Sequence, residues 1–484
     1  MKISVIVPFH KKISSLKTSC NSINNQIIPN DFMIEIVIGN DSKYSDRYIK
    51  NYLSQFISKK IKILVIKNKN KKSAGNARNA AMNICTGEYI AFLDSDDAWE
   101  PIKLLMQAKY MYRNFDFITC GYRLNNEGTI LSPPKKLNKS HNLFFDWNPV
   151  GTSTVVISKK ILKDNKFSDL VFCQDILFWS DLFFDQKIKY ISINLPLVKY
   201  STSGRTSKAK LINIIKFYYI AARKSGLTRF LSTLSLSNYI LRGIFNKFFK
   251  RNTSKFLQNK NSFNFLRLIR FLILIRNYFF QSVLFDFNYG VKTFFRKKFN
   301  GTKYTSLHKG SIHYVASSTD LIKNSLGISL DICNLLKWPH DQLQFVDLGS
   351  GQGKTMCVVA IFFNQLYKYN PILGVEFSKE LTDIAKKNLV KLIPTNNFNI
   401  ETKDVLSAIE NFKEKIFIFY IYNSFKGKYF EEVCSHIAKF NKVLIIYLEP
   451  VESNILIKYG FKLVYSHKSA LSFKNREFNI YINS

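Results

Sequence analysis

A chain of 484 residues with 46% hydrophobic content is too long for one core and too apolar for disorder throughout, so two or three folded domains are expected. Seven cysteines (20, 85, 120, 173, 333, 357 and 434), with no CxxC and no paired spacing, exclude a disulfide scaffold and a zinc site and read as reduced thiols of a cytoplasmic protein. The net charge of +37 is uneven: residues 201–300 hold 20 Lys or Arg against one acid, Asp286.

In chain order, Ile3–Pro8 reads as a buried parallel strand, Ile34–Ile38 as a second and Ile61–Ile66 as a third, with polar helical stretches between them. The βαβαβ pattern implies a parallel sheet with ligands at the carboxyl ends of its strands. Ala74–Cys85 reads as a helix stopped by Thr86-Gly87. It places Arg78 in its first turn, where a cation and free N–H groups meet a phosphate. A strand at 89–93 then runs into Asp94-Ser95-Asp96-Asp97, and Pro101 suits the first turn of the next helix. Carboxylates at a strand end are hard oxygen ligands for Mg²⁺ or Mn²⁺, with a diphosphate completing the shell. An acidic triplet alone is more often a solvated turn; the strand-to-helix context favours a metal site at Asp94 and Asp96.

Val7-Pro8, Asn40-Asp41-Ser42, Gly75-Asn76-Ala77-Arg78-Asn79 and Phe92-Leu93-Asp94-Ser95-Asp96-Asp97 together resemble a family 2 glycosyltransferase of the GT-A fold over residues 1–210. The resemblance implies a donor site of Pro8, Asp41 at the nucleotide base, Arg78 near base and diphosphate, Asp94 beside the donor sugar and Asp96 as principal metal ligand. It also implies an acidic pair in the acceptor half; here Gln174 replaces the first acid, leaving Asp175 as candidate general base for an inverting transfer. The plainer alternative for Asp175 is an acid stabilised at a helix N-terminus. Tyr200–Ser207 resembles, in looser form, the family's basic loop over the diphosphate, with Arg205 as the implied donor contact.

Residues 211–300 read as a basic, aromatic-rich, mainly helical segment. Its interleaved rings and cations suit an anionic membrane surface, single-stranded nucleic acid, or ordinary helix packing. The transferase resemblance favours a peripheral contact with the inner face of the cytoplasmic membrane over nucleic acid. Lys2 followed by a strand is no signal peptide, and no run of 18 apolar residues occurs, so no span is expected.

From residue 301 a second α/β pattern begins, with strands at 344–348, 372–376, 398–401, 416–422 and 443–448 and an antiparallel hairpin of Phe461–Ser466 with Glu477–Ile482. The loop Asp347-Leu-Gly349-Ser-Gly351-Gln-Gly353 fails the dinucleotide spacing GxGxxG. Its Gly353-Lys354-Thr355 ends like a P-loop, but the required first glycine is Leu348. With Glu376 closing the next strand, the loop resembles the Rossmann-like class I S-adenosylmethionine-dependent methyltransferases over about residues 305–484, within a domain read as 301–484. The resemblance implies a cofactor site of Asp347, Gly349, Gly351, Gly353, Glu376 (ribose) and Asp404 (adenine), and a methyl-acceptor region at Asn423 and Phe425; Tyr314 and His436 are weaker candidates.

These readings combine into a bifunctional enzyme. It transfers a sugar from a nucleotide-sugar donor to a glycan or lipid-linked acceptor and methylates a glycan-related substrate, in surface polysaccharide or lipooligosaccharide biosynthesis. The rival is a nucleic-acid methyltransferase with a non-catalytic N-terminal scaffold, which leaves the first set of motifs unexplained.

Overall fold

The computed structural model describes residues 1–70, 72–124, 130–133, 150–170, 174–184, 188–201, 281–293, 318–422, 424–468 and 477–483. The chain divides into two compact units, Met1–Asn261 and Ser262–Ser484.

The first unit runs β1 (Lys2–Phe9), α1 (Ile13–Asn24), β2 (Met33–Asn40), α2 (Asp46–Ser54), β3 (Lys62–Lys67), α3 (Ala74–Ile84), β4 (Tyr89–Phe92), β5 (Ala98–Trp99), α4 (Lys103–Met111), β6 (Phe117–Leu124), β7 (Ile130–Leu131), β8 (Val156–Ser158), α5 (Gln174–Phe184) and β9 (Tyr190–Tyr200). Among the described residues these nine strands form one sheet, β3-β2-β1-β4-β8-β6-β9-β5, with β7 on β6. Its first four strands are parallel, as the βαβ pattern requires. β1 is buried from Ile3 to Phe9 because both sheet faces are covered, so its sequence is a continuous apolar run. Pro8 is tolerated there. Leu93 N–H donates to Ile6 O on the β4 side, and the β4 ladder ends at Ile6–Phe92, before the missing N–H of Pro8 matters.

Gly39 lets α3 lie against the carboxyl end of β2: a Cβ there would stand 2.0 Å from Ala77 O. Pro101 falls two residues short of α4, whose N-cap is Ile102. The core beneath β4 and β8 is aromatic: the Trp179 ring of α5 meets Phe117 at 5.2 Å, Phe92 at 5.6 Å and Phe167 at 5.9 Å.

The second unit contains α6 (Gln281–Tyr289), α7 (Thr319–Leu335), β10 (Leu343–Leu348), α8 (Lys354–Phe362), β11 (Ile372–Glu376), α9 (Lys379–Leu389), β12 (Phe398–Thr402), α10 (Val405–Ile409), β13 (Ile416–Tyr422), α11 (Gly427–Ile437), β14 (Lys442–Leu448), α12 (Ser453–Lys458), β15 (Lys462–Lys468) and β16 (Glu477–Asn483). The sheet order is β12-β11-β10-β13-β14-β16-β15. Its first five strands are parallel, and the closing hairpin is antiparallel. Strand order reverses between β10 and β13, which puts the glycine loop after β10 at the switch point where open α/β sheets bind ligands.

The described end of the basic segment, residues 281–293, packs on this unit. Lys292 N–H donates to Asn388 Oδ1 at 2.8 Å, and Asn388 Nδ2 returns to Lys292 O at 3.0 Å and to Gln352 O at 3.0 Å. Among the described residues no helix is long and apolar enough to cross a membrane.

Candidate functional site

At the carboxyl edge of the first sheet lies a cleft of about 340 Å³, lined by Pro8 and Phe9 at the end of β1 and His10 after it, Asp41 after β2, Lys72, Ser73, Ala74, Ala77 and Arg78 around the start of α3, and Asp94 to Asp96 after β4. Three strand ends and the first turns of α3 therefore bring Pro8, Asp41, Arg78, Asp94 and Asp96 into one space. Asp41 is fixed from three sides: its N–H donates to Phe9 O at 2.7 Å, Asn68 Nδ2 donates to its Oδ1 at 2.8 Å, and His10 Nδ1 lies 3.1 Å from its carbonyl. Ser73 caps α3 by accepting from Asn76 N–H at 3.1 Å, so a helix N-terminus opens on the cleft.

Arg78, 4% exposed, pairs with Asp94 Oδ1 at 2.5 Å and lies 5.1 Å from the Phe167 ring centre. Burial works against its charge, but Asp94, then Asp175 and Tyr200, outweigh it and hold the guanidinium protonated. The Arg78 Nε has no hydrogen-bond partner, an orphaned buried donor beside the cleft.

The loop after β4 is held by residues that carried no motif. Asp94 N–H donates to Ser153 Oγ at 3.0 Å, and that hydroxyl donates to Asp97 Oδ2 at 2.5 Å. Asp97 Oδ1 accepts from Ser201 N–H at 2.8 Å, and Ser19 Oγ donates to the Asp97 carbonyl at 2.6 Å. Asp97 is thus a buried anchor, its carboxyl raised well above the usual range by burial and then by Asp94. Asp96, by contrast, is exposed at the rim. Desolvation by the cleft walls, then the Asp94 carboxylate, raises its pKa.

Among the described residues no three His, Cys, Asp or Glu side chains gather as a ready metal cage. The pair fits a divalent ion of the kind that takes one or two carboxylates and completes its shell with phosphate and water. Asp94 has one oxygen on Arg78, and Asp96 faces outward against a like charge.

Asp175 sits in the first turn of α5, beside Arg78 and Asp94 but outside the residues that line the cleft. Thr152 Oγ1 donates to its Oδ2 at 3.4 Å. Burial raises its pKa, and Arg78 offsets part of that rise. Gln174, in place of the expected acid, accepts from Gly75 N–H at 2.9 Å and so occupies one donor of the α3 N-terminus. Tyr200, at the end of β9, is a further neighbour: burial, then Asp97, Asp94 and Asp175, push its hydroxyl well above the usual range. Arg205 lies outside the described residues.

In the second unit Gly349, Gly351 and Gly353 take φ of 80°, 53° and 80°, the left-handed region that favours glycine. Asp347, 3% exposed, leaves Oδ2 without a hydrogen bond. Burial and then Glu376 push its carboxyl up to about 8 against a bond from Thr355. An orphaned acceptor under a glycine loop fits the ammonium end of an amino-acid cofactor. Glu376 closes β11 as expected, but its oxygens already accept from Gly351 N–H and Ser378 N–H, both at 2.9 Å.

Three of the residues implied by the resemblance make local contacts. Asp404 is the N-cap of α10, taking Leu406 N–H at 2.9 Å on Oδ1 and Tyr429 O–H at 2.7 Å on Oδ2, so its carboxylate is engaged locally. Phe425 faces the core, 7% exposed among Val346, Leu348 and Phe430, because the chain after β13 turns inward to start α11. His436 lies on α11 against Glu410 at 3.5 Å and Glu432 O at 2.9 Å. Asn423 and Tyr314 lie outside the described residues. Lys354 closes the P-loop question: its Nζ lies 3.6 Å above the Phe285 ring and 3.7 Å from Asp286, committed to α6.

The first unit is thus an α/β domain with a cleft of acids, one arginine and a helix N-terminus at the carboxyl edge of a parallel sheet. Residues 4–171 match the model of glycosyl transferase family 2. An uncharacterized glycosyltransferase of Methanocaldococcus jannaschii is 32% identical over 44% of this chain and 75% of its own length. The Escherichia coli UDP-Glc:alpha-D-GlcNAc-diphosphoundecaprenol beta-1,3-glucosyltransferase WfgD is 29% identical over 42% of this chain and 77% of its own. The chain belongs to glycosyl transferase family 2. A solved Geobacter metallireducens precorrin-6y C5,15-methyltransferase covers 36% of this chain and 92% of its own at 12% identity and a TM-score of 0.27, too remote to assign an activity.

Proposed function

We propose that the first unit transfers a sugar with inversion from a nucleotide-sugar donor to a glycan or lipid-linked acceptor, in the biosynthesis of a surface polysaccharide or lipooligosaccharide. The observation that carries this is the convergence of Asp41, Arg78, Asp94, Asp96 and the α3 N-terminus on one cleft. Asp41 holds the base, and Arg78 with the N–H groups of α3 takes the diphosphate. Asp96 and Asp94 would hold Mg²⁺ or Mn²⁺, which when bound would supply positive charge against the leaving diphosphate. Asp175 takes the proton of the acceptor hydroxyl as its oxygen bonds to the anomeric carbon and the bond to phosphate breaks. Burial raises its pKa, the direction that makes a carboxylate a stronger base. Arg205 is assigned to the diphosphate by the family resemblance. The E. coli relative's diphosphoundecaprenol substrate supports a lipid-linked acceptor and a peripheral place on the cytoplasmic membrane's inner face.

The second unit, in this reading, binds S-adenosylmethionine at Asp347, Gly349, Gly351, Gly353 and Glu376 and methylates a glycan-related substrate. The support is the orphaned Asp347 oxygen beneath three left-handed glycines at the sheet's switch point. When bound, the cofactor supplies an electrophilic methyl group; the residues' part is positioning. Fusion keeps both sites at high effective concentration around one acceptor.

Thermal scanning of the whole chain with UDP-, GDP- and dTDP-sugars plus Mn²⁺, and separately with S-adenosylmethionine, tests both assignments, since ligands that bind only the native state raise its melting point. The expected result is two shifts, one lost in Asp96→Ala and one in Gly351→Arg. A shift with S-adenosylmethionine alone would bring forward a nucleic-acid methyltransferase with an N-terminal scaffold.

A further inference from the structure

The donor cleft continues outward into a row of aromatic rings that sugar transfer does not use. Phe9, which lines the cleft, lies 6.2 Å from Tyr44 with ring planes 19° apart. Tyr44 and Tyr48 follow at 5.2 Å and 13°, then Tyr48 and Tyr52 at 6.3 Å and 12°, and Tyr52 meets Phe56 edge-on at 5.4 Å. Tyr48 and Tyr52, four residues apart, share one stripe of α2, and Tyr44 continues the row from just before the helix, while Ile49 and Leu53 of the same helix are fully buried. Tyr48 remains 48% exposed and Phe56 37%.

Cations surround this row. Lys17 Nζ stands 3.5 Å over the Phe56 ring and Lys43 Nζ 5.8 Å from the Tyr44 ring centre. Residues 43–72 hold ten Lys or Arg against the single acid Asp46. Lys59, Lys60 and Lys62, just beyond the row, are all exposed.

We propose that this aromatic, basic edge of the first unit docks on an anionic lipid surface. Ring stacking decides the class of partner. Tyr44 and Tyr48 each stack on a ring at either side, and Phe56 is covered by Lys17. Unstacked nucleobases need open ring faces to bind. A headgroup layer needs only partly exposed rings and cations, and this edge has both in Tyr48, Phe56, Lys59, Lys60 and Lys62. Because Phe9 belongs to both the row and the cleft, docking brings the cleft to the headgroups, where a lipid-linked acceptor is carried. The inference rests on the membrane contact proposed above and assigns it a surface outside residues 211–300.

The test uses the full chain with phosphatidylcholine vesicles, with and without phosphatidylglycerol. Tyr48→Trp is the local reporter, read as a difference spectrum from the parent protein. Its emission should move to the blue and be quenched by brominated lipid only when phosphatidylglycerol is present. Reversing Lys59, Lys60 and Lys62 together to Glu should lower sedimentation with those vesicles by about tenfold or more. The melting point and the thermal shift with UDP and Mn²⁺ should be unchanged. Sedimentation without any change in the Tyr48→Trp emission would overturn this edge while leaving a membrane contact elsewhere. No sedimentation at low salt would overturn both. Tighter binding of single-stranded RNA than of vesicles, lost on lysine reversal, would replace lipid with nucleic acid.

Discussion

At the scale of single residues, neighbours decide what each carboxylate can do. Asp94, Asp96 and Asp97 lie within four consecutive positions, yet Asp94 holds Arg78, Asp96 faces outward and Asp97 accepts from Ser153 and Ser201. Arg78→Lys keeps the charge but loses the planar fork and its contact with Phe167. UDP binding in the presence of Mn²⁺, measured by calorimetry, should weaken by about tenfold or more.

Asp347 gives a pH prediction. Its folded pKa of about 8 lies above an unfolded value of about 4, so the folded state holds the proton more tightly. Its contribution is fully present below the unfolded pKa and is lost as pH rises through the folded one. Urea unfolding without ligands should show stability falling between pH about 4 and about 8. Asp347→Asn should flatten that slope.

At the scale of elements, helix entry points carry the site, and the sequence made only some of them legible. Four strand ends, the α3 helix and the glycine loop follow from apolar runs, a stop signal and glycine spacing. Asp404 was legible as an acid after a strand, but not as the cap of a helix of five residues, Val405–Ile409. Asp404→Ala should therefore destabilise the second unit by about 1 kcal/mol or more through the lost cap, with no cofactor present. An unchanged melting point with weakened cofactor binding would instead return Asp404 to the adenine role. Gly39 fixes how close α3 comes to β2; Gly39→Ala must displace backbone 2.0 Å away. A loss of about 3 kcal/mol or more, read by denaturant unfolding, is the expected outcome.

At the scale of the whole molecule, each unit has its own sheet and its own hydrophobic cluster. Differential scanning calorimetry should resolve two transitions, with UDP and Mn²⁺ raising one and S-adenosylmethionine the other. A single transition raised by either ligand would mean that the units unfold together.

The sequence by itself determined the parallel strands of the two units and the acids at their carboxyl ends. Those features follow from local periodicity and from motifs whose residues sit within a few positions of one another. Only the tertiary structure decided which groups those acids meet. Ser153 reaches the β4 loop from 59 residues away, Gln174 reaches α3 from 99 and Ser201 reaches Asp97 from 104. Hydrogen bonds over such separations leave no spacing signal in one sequence, because the chain brings their partners together only when the sheet closes.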